Sequence, residues 1–361
     1  MLRCSLLILS LCSCLFAKSQ DWHVVRENAQ MSFPKMVPAG NYSGITHLND
    51  DIYAVVSDKS DSALFFKFRI QVNPKTGGLE NVESLGFTQY VDGSLHDGKP
   101  WVGKEFGFDH EAITKVSNSM VVIASEGKCR LKEYLINPSS RKQGLWSDKW
   151  WNKDDFYPNY NYESLAYDFL RHNLWTIPES TLRRDGKPAS PDNIVRNKLR
   201  LVRYCWPQSQ NDTTGVGRTE YAYLMDTPSV KKKAEIYVMG VSELCALPDG
   251  QLLVLEREAF IPHIKLGAFC KCKLYVIAPL RGKEIDMFKA MDDESPFLEK
   301  HLLCEWKTGL SLFDRSFANY EGMCLGPQLD DGSQVLILLS DSQDQYAGVL
   351  KDWFKTIVIA K

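Results

Sequence analysis

The sequence has little net charge and, after its first twenty residues, no long apolar run. Its 43 Lys and Arg residues nearly balance 45 Asp and Glu residues, which leaves a formal charge of −2. Proteins that bind the phosphate backbone of nucleic acids are usually clearly basic. A membrane helix needs roughly 20 consecutive apolar residues. We therefore expect neither a nucleic-acid partner nor a transmembrane segment.

The sequence also lacks the common signatures of hydrolases. It contains no G-x-S-x-G nucleophile elbow, no H-E-x-x-H zinc pair and no P-loop, each of which has a fixed spacing set by its chemistry. His110, directly before Glu111, is either an acid–base group or an ordinary hydrogen-bonded histidine. Any catalytic site must therefore be assembled from residues distant in the chain.

The first nineteen residues are typical of a signal peptide. A positively charged start is followed by the apolar run Cys4–Phe16 and by small residues before Gln20, where we expect cleavage. The alternative is a lipid anchor on Cys14. The mature domain would then be residues 20–361, secreted or periplasmic.

Cysteine is present in an odd number beyond this leader, which predicts at least one free thiol. Cys270 and Cys272 lie two residues apart in a strand-like run, where alternate side chains share a face. They are either buried strand cysteines or a metal-binding pair. The seven cysteines are Cys129, Cys205, Cys245, Cys270, Cys272, Cys304 and Cys324.

One short theme occurs five times along the chain. Each copy reads as a strand, a tight turn with Asn, Asp or Gly, and a second strand, and a third strand follows in most copies. The copies begin about 50 to 80 residues apart, which is the spacing of propeller blades that carry loop insertions. They cover residues 41–58, 108–127, 161–180, 241–257 and 319–341.

The repeats predict an all-β fold, a single-domain β-propeller of five or six blades. A ring leaves no exposed sheet edge if the two ends of the chain complete one blade. We expect the N-terminal strand at Trp22–Arg26 and the C-terminal strand at Thr356–Ala360 to do so. The best candidate for a helix is the short segment Ile285–Met291.

Acidic residues occupy two positions of the repeat. The first set opens the first strand, with Ser43 in place of an acid in the first copy, and comprises Glu111, Glu163, Glu243 and Glu321. The second set closes the next strand and comprises Asp58, Glu126, Glu179, Glu256 and Asp341. In a hairpin the start of one strand lies beside the end of the next, so both sets should converge on the rim of a central channel.

Crowded carboxylates raise one another's pKa and favour a bound cation. Ca²⁺ suits a flexible all-oxygen site in an exported protein. We predict metal ligands at Asp58, Glu111, Glu163, Glu243, Glu321 and Asp341. Catalytic carboxylates are predicted at Glu126, Glu179 and Glu256. Cations that would bind an anionic ligand are predicted at Lys128, Arg130 and Arg257.

A purely structural role stays open for the glutamates that open the strands. Each could accept hydrogen bonds from the backbone of the neighbouring blade, as a latch repeated by symmetry. The acids that close the strands are harder to explain in this way, because their loops vary around a retained charge. They are the better candidates for binding a cation or a substrate.

Several of these segments carry a resemblance to a known family. Ser43-Gly44-Ile45, Ser125-Glu126-Gly127, Asn161–Ala166 and Asn319–Gly322 resemble the phytase-like family of exported bacterial proteins, described as having "esterase-like activity of phytase". The resemblance runs from about Tyr42 to the C terminus. It implies a β-propeller and, by analogy with propeller phytases, calcium-assisted hydrolysis of phosphate esters.

Two functions remain open. The first is a metal-dependent phosphoesterase or esterase that acts on a small anionic ester at the central mouth. The second is a noncatalytic propeller that binds a glycan, a peptide or a protein partner. An aromatic cluster near the third copy is either a sugar-stacking platform or core packing, and it comprises Trp146, Trp150, Trp151, Tyr157, Tyr160 and Tyr162.

Overall fold

A computed structural model describes residues 21–59, 64–89, 95–96, 99–100, 109–136, 146–148, 150–206, 216–345 and 349–361. The predicted leader, with Cys14, lies outside the described residues. In the described part of the chain, no helix is both long and apolar enough to cross a membrane. Short 3-10 helices are formed by Lys153–Asp155, Arg183–Asp185, Pro279–Arg281 and Gln343–Gln345.

Nearly all regular structure is β-strand. The first strands are β1 (His23–Glu27), β2 (Tyr42–Asn49), β3 (Ile52–Ser57), β4 (Leu64–Val72), β5 (Leu79–Gln89), β6 (Leu95–His96), β7 (Lys99–Pro100), β8 (His110–Ser117), β9 (Met120–Ser125), β10 (Arg130–Leu135), β11 (Ser147–Asp148) and β12 (Ala166–Asp168). The remaining strands are β13 (Asn173–Thr176), β14 (Lys198–Cys205), β15 (Gly217–Leu224), β16 (Ile236–Ala246), β17 (Leu252–Ile261), β18 (Ala268–Ile277), β19 (Glu284–Ile285), β20 (Lys300–Leu310), β21 (Asn319–Gln328), β22 (Gln334–Asp341) and β23 (Phe354–Ala360).

These strands form five antiparallel sheets of four or five strands among the described residues, besides the small β6–β7 pair. Sheet I is β2-β3-β4-β5, sheet II is β8-β9-β10-β11, and sheet III is β12-β13-β14-β15-β19. Sheet IV is β16-β17-β18-β20, and sheet V is β21-β22-β23-β1. Each sheet starts at one copy of the sequence repeat. Nearly all described regular structure is strand, which confirms the all-β prediction.

Apolar residues on both faces of the middle strands pack the sheets against one another. In β3 and β9 five of the six residues are buried, as expected for strands covered on both sides. Five apolar clusters result, and each joins two sheets: I with II, II with III, III with IV, IV with V, and V with I. The first strands of the sheets also contact one another in this order.

The two ends of the chain meet in sheet V. Strand β1 pairs antiparallel with β23, with His23 opposite Ala360 and Glu27 opposite Ile357. The predicted helix at Ile285–Met291 is wrong, because Ile285 belongs to β19 and pairs with Glu220 of β15. That pairing adds a fifth strand to sheet III.

No disulfide links the described cysteines. The sulfur atoms of Cys270 and Cys272 are 3.9 Å apart on one face of β18, and both side chains are fully buried in the apolar cluster between sheets IV and V. The structure therefore places them among ordinary core residues.

Candidate functional site

Every sheet begins with the same kind of residue pair at one end, which we call the rim pair. In sheets I, II and V its first member directly precedes or opens the first strand, and its second member closes or directly follows the second strand. In sheet III the two members lie before β12 and after β13, and in sheet IV they lie within β16 and β17. Backbone hydrogen bonds or strand register join the two members in each sheet. The five rim pairs are Asn41 with Asp58, Asp109 with Glu126, Asn161 with Glu179, Gly240 with Arg257, and Asn319 with Asp341.

The first strand is irregular at the residue that lies two positions after the first member of the rim pair. The pairing register shifts here in sheets I, II, IV and V, as it does at a β-bulge, which re-aims a side chain. The residues at this position are Ser43, Glu111, Glu163, Ser242 and Glu321. Three of the four predicted strand-opening glutamates therefore occupy equivalent places, together with two serines.

Sheet IV departs from the prediction by one residue in both strands. Ser242 occupies the strand-opening position instead of Glu243, and Arg257 occupies the strand-closing position instead of Glu256. The bulge between Val241 and Glu243 produces the first shift. The predicted convergence of Glu243 and Glu256 with the other acids has to be corrected for this reason.

Glu243 instead joins two sheets. Its Oε1 atom accepts hydrogen bonds from the amide of Leu165, in the segment that leads into sheet III, at 3.0 Å and from the amide of Leu244 at 2.9 Å. The side chain is 1% exposed, and burial raises its pKa well above the usual value. Glu243 therefore forms the backbone latch that was the structural alternative for this set.

Glu256 faces a different group of charges. Tyr223 donates a hydrogen bond to Glu256 Oε1 at 2.7 Å, and Lys300 Nζ lies 2.5 Å from the same atom. Lys300 also contacts Asp226 at 3.0 Å, and Asp226 is bound by Lys273. These two acids and two lysines compensate one another, so this group has the character of a structural ion network.

The remaining predicted acids converge with one further carboxyl group, Asp109. Each interacts electrostatically with others of the group, and most are buried. We call this group the acidic cluster. Its members are Asp58, Asp109, Glu111, Glu126, Glu163, Glu179, Glu321 and Asp341.

Burial and mutual repulsion shift the protonation of the acidic cluster. Burial is the largest cause and neighbouring carboxylates add to it, which raises the pKa of Asp58 and Glu126 to about 7. The same causes raise the pKa of Asp341 to about 8. The pKa values of Glu111 and Glu163 rise well above their usual range. Without a cation, several of these groups are therefore protonated at neutral pH.

Arg257 supplies a buried positive charge to one side of the cluster. Its Nη1 atom lies 2.5 Å from Glu321 Oε1 and donates to Asn319 Oδ1 at 2.8 Å, and its Nη2 atom binds Glu179. A fixed guanidinium fork of this kind suits two carboxylates at once. Arg257 therefore holds Glu179 and Glu321 in place, which differs from the predicted role of binding a ligand.

Three acids of the cluster lie close enough together to hold a metal ion. Oxygen atoms of Asp109, Glu111 and Glu126 all lie within 4.8 Å of one another. A set of carboxylate oxygens is what Ca²⁺ prefers. Burial is the largest cause of their raised pKa values, and a bound cation would favour their ionised forms instead. The residues present therefore fit a divalent cation of the hard, oxygen-binding class.

The predicted anion-binding residues of sheet II are near His110 and Glu126 in the fold or the chain. Arg130 opens β10. Burial and, to a smaller extent, the charge of Arg130 lower the pKa of the fully buried His110 to about 3. His110 is thus neutral near pH 7 and unsuited to donating a proton there. Lys128 is half-buried in the turn after Glu126. Burial raises the pKa of Asp58, Asp109 and Asp341, and the charge of Lys59 partly offsets that rise.

Two of the six aromatic residues near the third copy, Trp151 and Tyr162, belong to the core. Trp151 and Tyr162 stack at 5.7 Å between ring centroids and are at most 2% exposed. They belong to the apolar cluster between sheets II and III. Trp150 is 46% exposed, with the Arg218 guanidinium 4.9 Å from its ring. This placement matches the packing alternative for the two buried rings.

Asp109 is a member of the site that was not predicted from the sequence. Asp109 stands two residues before Glu111, where the third and fifth copies have Asn161 and Asn319, so the rim position was visible as a recurring Asn or Asp. Lys59 directly follows Asp58, and no other copy has a lysine there. The repeat pattern therefore gave a signal for Asp109 and none for Lys59.

Two solved structures are distantly similar to this chain. A solved structure described as streptogramin B lyase is similar at a TM-score of 0.33 and 11% identity, over 92% of this chain and 98% of that one. A member of the DUF4221 family from Bacteroides vulgatus is similar at a TM-score of 0.37 and 9% identity, over 94% and 99%. No curated protein sequence matches significantly.

The family comparison covers most of the chain. The model of the phytase-like family, "Esterase-like activity of phytase", matches residues 37–343. That range includes all five rim pairs and every member of the acidic cluster. The chain belongs to the phytase-like family.

Proposed function

We propose that the chain is an exported five-bladed β-propeller that binds a divalent cation, Ca²⁺, in the acidic cluster and hydrolyses a phosphate or other ester of a small anionic compound. Sheets I to V would be the blades, and the pairing of β1 with β23 would close the ring. The cyclic contacts between first strands support this arrangement.

The triad of Asp109, Glu111 and Glu126 carries the proposal. Its oxygen atoms lie within 4.8 Å of one another, inside a group with more carboxyl groups than cations. These three residues would hold the ion. A bound Ca²⁺ would polarise an ester oxygen and lower the pKa of a water molecule.

Other residues of the cluster would handle protons and charge. Asp58 and Asp341, with pKa values raised to about 7 and about 8, can each accept or donate a proton near neutral pH, as general acid–base catalysis requires. Lys59 lies near both and can attract an anionic group. Arg257 keeps Glu179 in position, so the predicted catalytic role of Glu179 becomes a positioning role.

Ester hydrolysis is tested by release of phosphate or alcohol from a broad ester panel, with Ca²⁺ and with chelator. We expect Ca²⁺-dependent release that Glu126→Gln abolishes. The matched control is Glu256→Gln, which alters a glutamate bound by Tyr223 and Lys300 and should retain activity. Absence of release from the whole panel by calcium-loaded protein would contradict a hydrolase.

One observation favours a second function, binding without turnover. Arg257, the best-placed cation for a phosphate, is already bound by Glu179, Glu321 and Asn319. A protein that binds a glycan, peptide or protein partner through a cation would show ligand-dependent thermal stabilisation. It would release no product under the same conditions.

A further inference from the structure

At the end that carries the acidic cluster, the first two strands of sheet IV continue beyond the rim pair. Strand β16 begins four residues before Gly240, and β17 continues four residues beyond Arg257. At about 3.3 Å per residue the hairpin extends about 13 Å beyond the rim pair. The turns at 262–267 and 311–314 lie at the same end of this sheet, because Ala268 pairs with Leu310.

The end of this sheet carries exposed apolar side chains, which we call the apolar tip. Phe313 is 99% exposed and Leu312 is 74% exposed. Both lie in a turn closed by a hydrogen bond from the Ser311 amide to the Asp314 carbonyl. The tip comprises Ile236, Ile264, Leu266, Leu312 and Phe313, all exposed. Contiguous apolar surface of this kind marks an interaction site more often than chance exposure does.

Backbone contacts bring the three segments of the tip together. The Gly267 amide donates to the Leu310 carbonyl at 2.8 Å, which joins the two turns. Ile236 pairs with Ile261, which joins the β16–β17 end to the turn at 262–267. A groove of about 170 Å³ continues from the tip and is lined mainly by Ile236, Ile261, Ala268, Leu310, Phe317 and Leu350.

Basic residues surround the apolar tip. Lys231, Lys232 and Lys233 form an exposed run just before β16. Arg315 is exposed beside the turn that carries Phe313. The acid nearest to Ile236 in the chain, Glu235, is already paired with Lys265 at 2.9 Å. Asp314, exposed next to Phe313, offsets Arg315, so the positive charge around the tip comes from the three lysines.

We propose that the apolar tip docks on an anionic lipid surface. Exposed Phe, Leu and Ile side chains can enter the boundary between headgroups and acyl chains, while lysines stay among the headgroups. The acidic cluster does not prevent this approach. It lies about 13 Å further from the surface, more than the screening length of about 8 Å at physiological salt.

Sedimentation of the mature chain with lipid vesicles tests this docking. We expect binding to vesicles of phosphatidylglycerol and phosphatidylcholine, little binding to phosphatidylcholine alone, and weakening by salt. Replacing Leu312 and Phe313 by Ser should weaken binding at least tenfold. Replacing Lys231, Lys232 and Lys233 by Ala should weaken it about a hundredfold, since each lysine near the surface contributes about fivefold.

The matched control uses an apolar pair at the opposite end of a sheet. Phe169 and Leu170 are 56% and 67% exposed in the turn between β12 and β13, and replacing both by Ser should leave vesicle binding unchanged. Two results would overturn the proposal. One is equal binding to neutral and anionic vesicles, or none. The other is a dimer in solution that the Leu312 and Phe313 substitutions convert to monomer.

Discussion

Sheet IV and the other four sheets share a backbone register at the acidic end but carry opposite charges there. In sheets I, II, III and V the rim pair joins Asn or Asp to an acid, whereas sheet IV joins Gly240 to Arg257. If the second member of every rim pair were an acid, each of these five carboxylates would be repelled by the others. The single reversed charge, Arg257, compensates Glu179 and Glu321, whereas the proposed cation ligands Asp109, Glu111 and Glu126 are the acids that an external cation would compensate.

The two residues of the sheet IV rim pair depend on each other. A Cβ atom at Gly240 would lie 2.5 Å from the Glu179 carbonyl oxygen, so only glycine allows the neighbouring strand end to approach this closely. The Val241 amide donates to that same carbonyl at 3.0 Å. This approach places the Glu179 carboxylate within reach of Arg257. Glycine at position 240 is thus needed for Arg257 to bind Glu179 across the two sheets.

Removing the reversed charge should have the largest effect. Arg257→Ala leaves Glu179 and Glu321 buried without a counter-charge, which should lower the free energy of unfolding by about 3–5 kcal/mol. The measurement is urea unfolding of calcium-free protein at pH 7.5. The control is Arg203→Ala, which removes an arginine that is 19% exposed and paired at 3.4 Å with Glu284, itself 56% exposed. It should cost much less than Arg257→Ala, because Glu284 stays in contact with water. Equal losses for the two variants would contradict the account.

The latch in sheet IV should have an intermediate effect. Glu243→Ala leaves the buried amides of Leu165 and Leu244 without their acceptor, which should lower the free energy of unfolding by about 1–3 kcal/mol. Glu243→Gln keeps one acceptor oxygen and should lose less. Calorimetric Ca²⁺ affinity should not change in either variant. A Ca²⁺ affinity reduced as much by Glu243→Gln as by Glu111→Gln would show that Glu243 belongs to the cluster.

Protonation of the acids in the other four sheets should have a smaller effect on the stability of the fold, and this effect should depend on pH. Folding raises the pKa of Asp58, Glu126 and Glu321 to about 7 and of Asp341 to about 8. Their protonated forms therefore stabilise the fold fully below the unfolded-state pKa of about 4, and this contribution is lost as pH rises through 7 and 8.

The melting temperature of calcium-free protein should accordingly fall by several degrees between pH 5 and pH 8. Added Ca²⁺ should reduce this fall, because the cation replaces the protons, so the calcium-induced shift should grow with pH. Differential scanning calorimetry at a series of pH values measures both. A calcium-induced shift that is absent, or is larger at pH 5 than at pH 8, would argue against cation binding by these carboxyls.

Much of the fold follows from the sequence, because strand, turn and strand are encoded locally in each copy. Turn residues such as Pro248-Asp249-Gly250 and alternating or continuous apolar residues fix where strands start and stop. The C-terminal strand predicted at Thr356–Ala360 is observed at Phe354–Ala360. The helix predicted at Ile285–Met291 failed because Ile285 pairs with the edge of sheet III, a tertiary contact that local patterning does not show.

The site was harder to predict because, in sheet IV, an acid stands one residue away from both the strand-opening and the strand-closing position. Glu243 follows Ser242, and Glu256 precedes Arg257, so aligning the copies by their acids gives the wrong register. Aligning Val241 with Tyr162 and Tyr320 gives the observed register, since these residues all follow the first member of a rim pair. Which groups neutralise one another depends on contacts between sheets, and a single sequence does not reveal them.

Calorimetric titration with Ca²⁺ tests the central claim most directly. Wild-type protein should bind Ca²⁺, Glu111→Gln and Glu126→Gln should each weaken binding at least tenfold, and Glu256→Gln should bind as the wild type does. This result would confirm that the acids of sheet II form the cation site and that the shifted acid of sheet IV does not. Absence of Ca²⁺ binding by the wild type, or equal weakening by Glu256→Gln and Glu126→Gln, would contradict it.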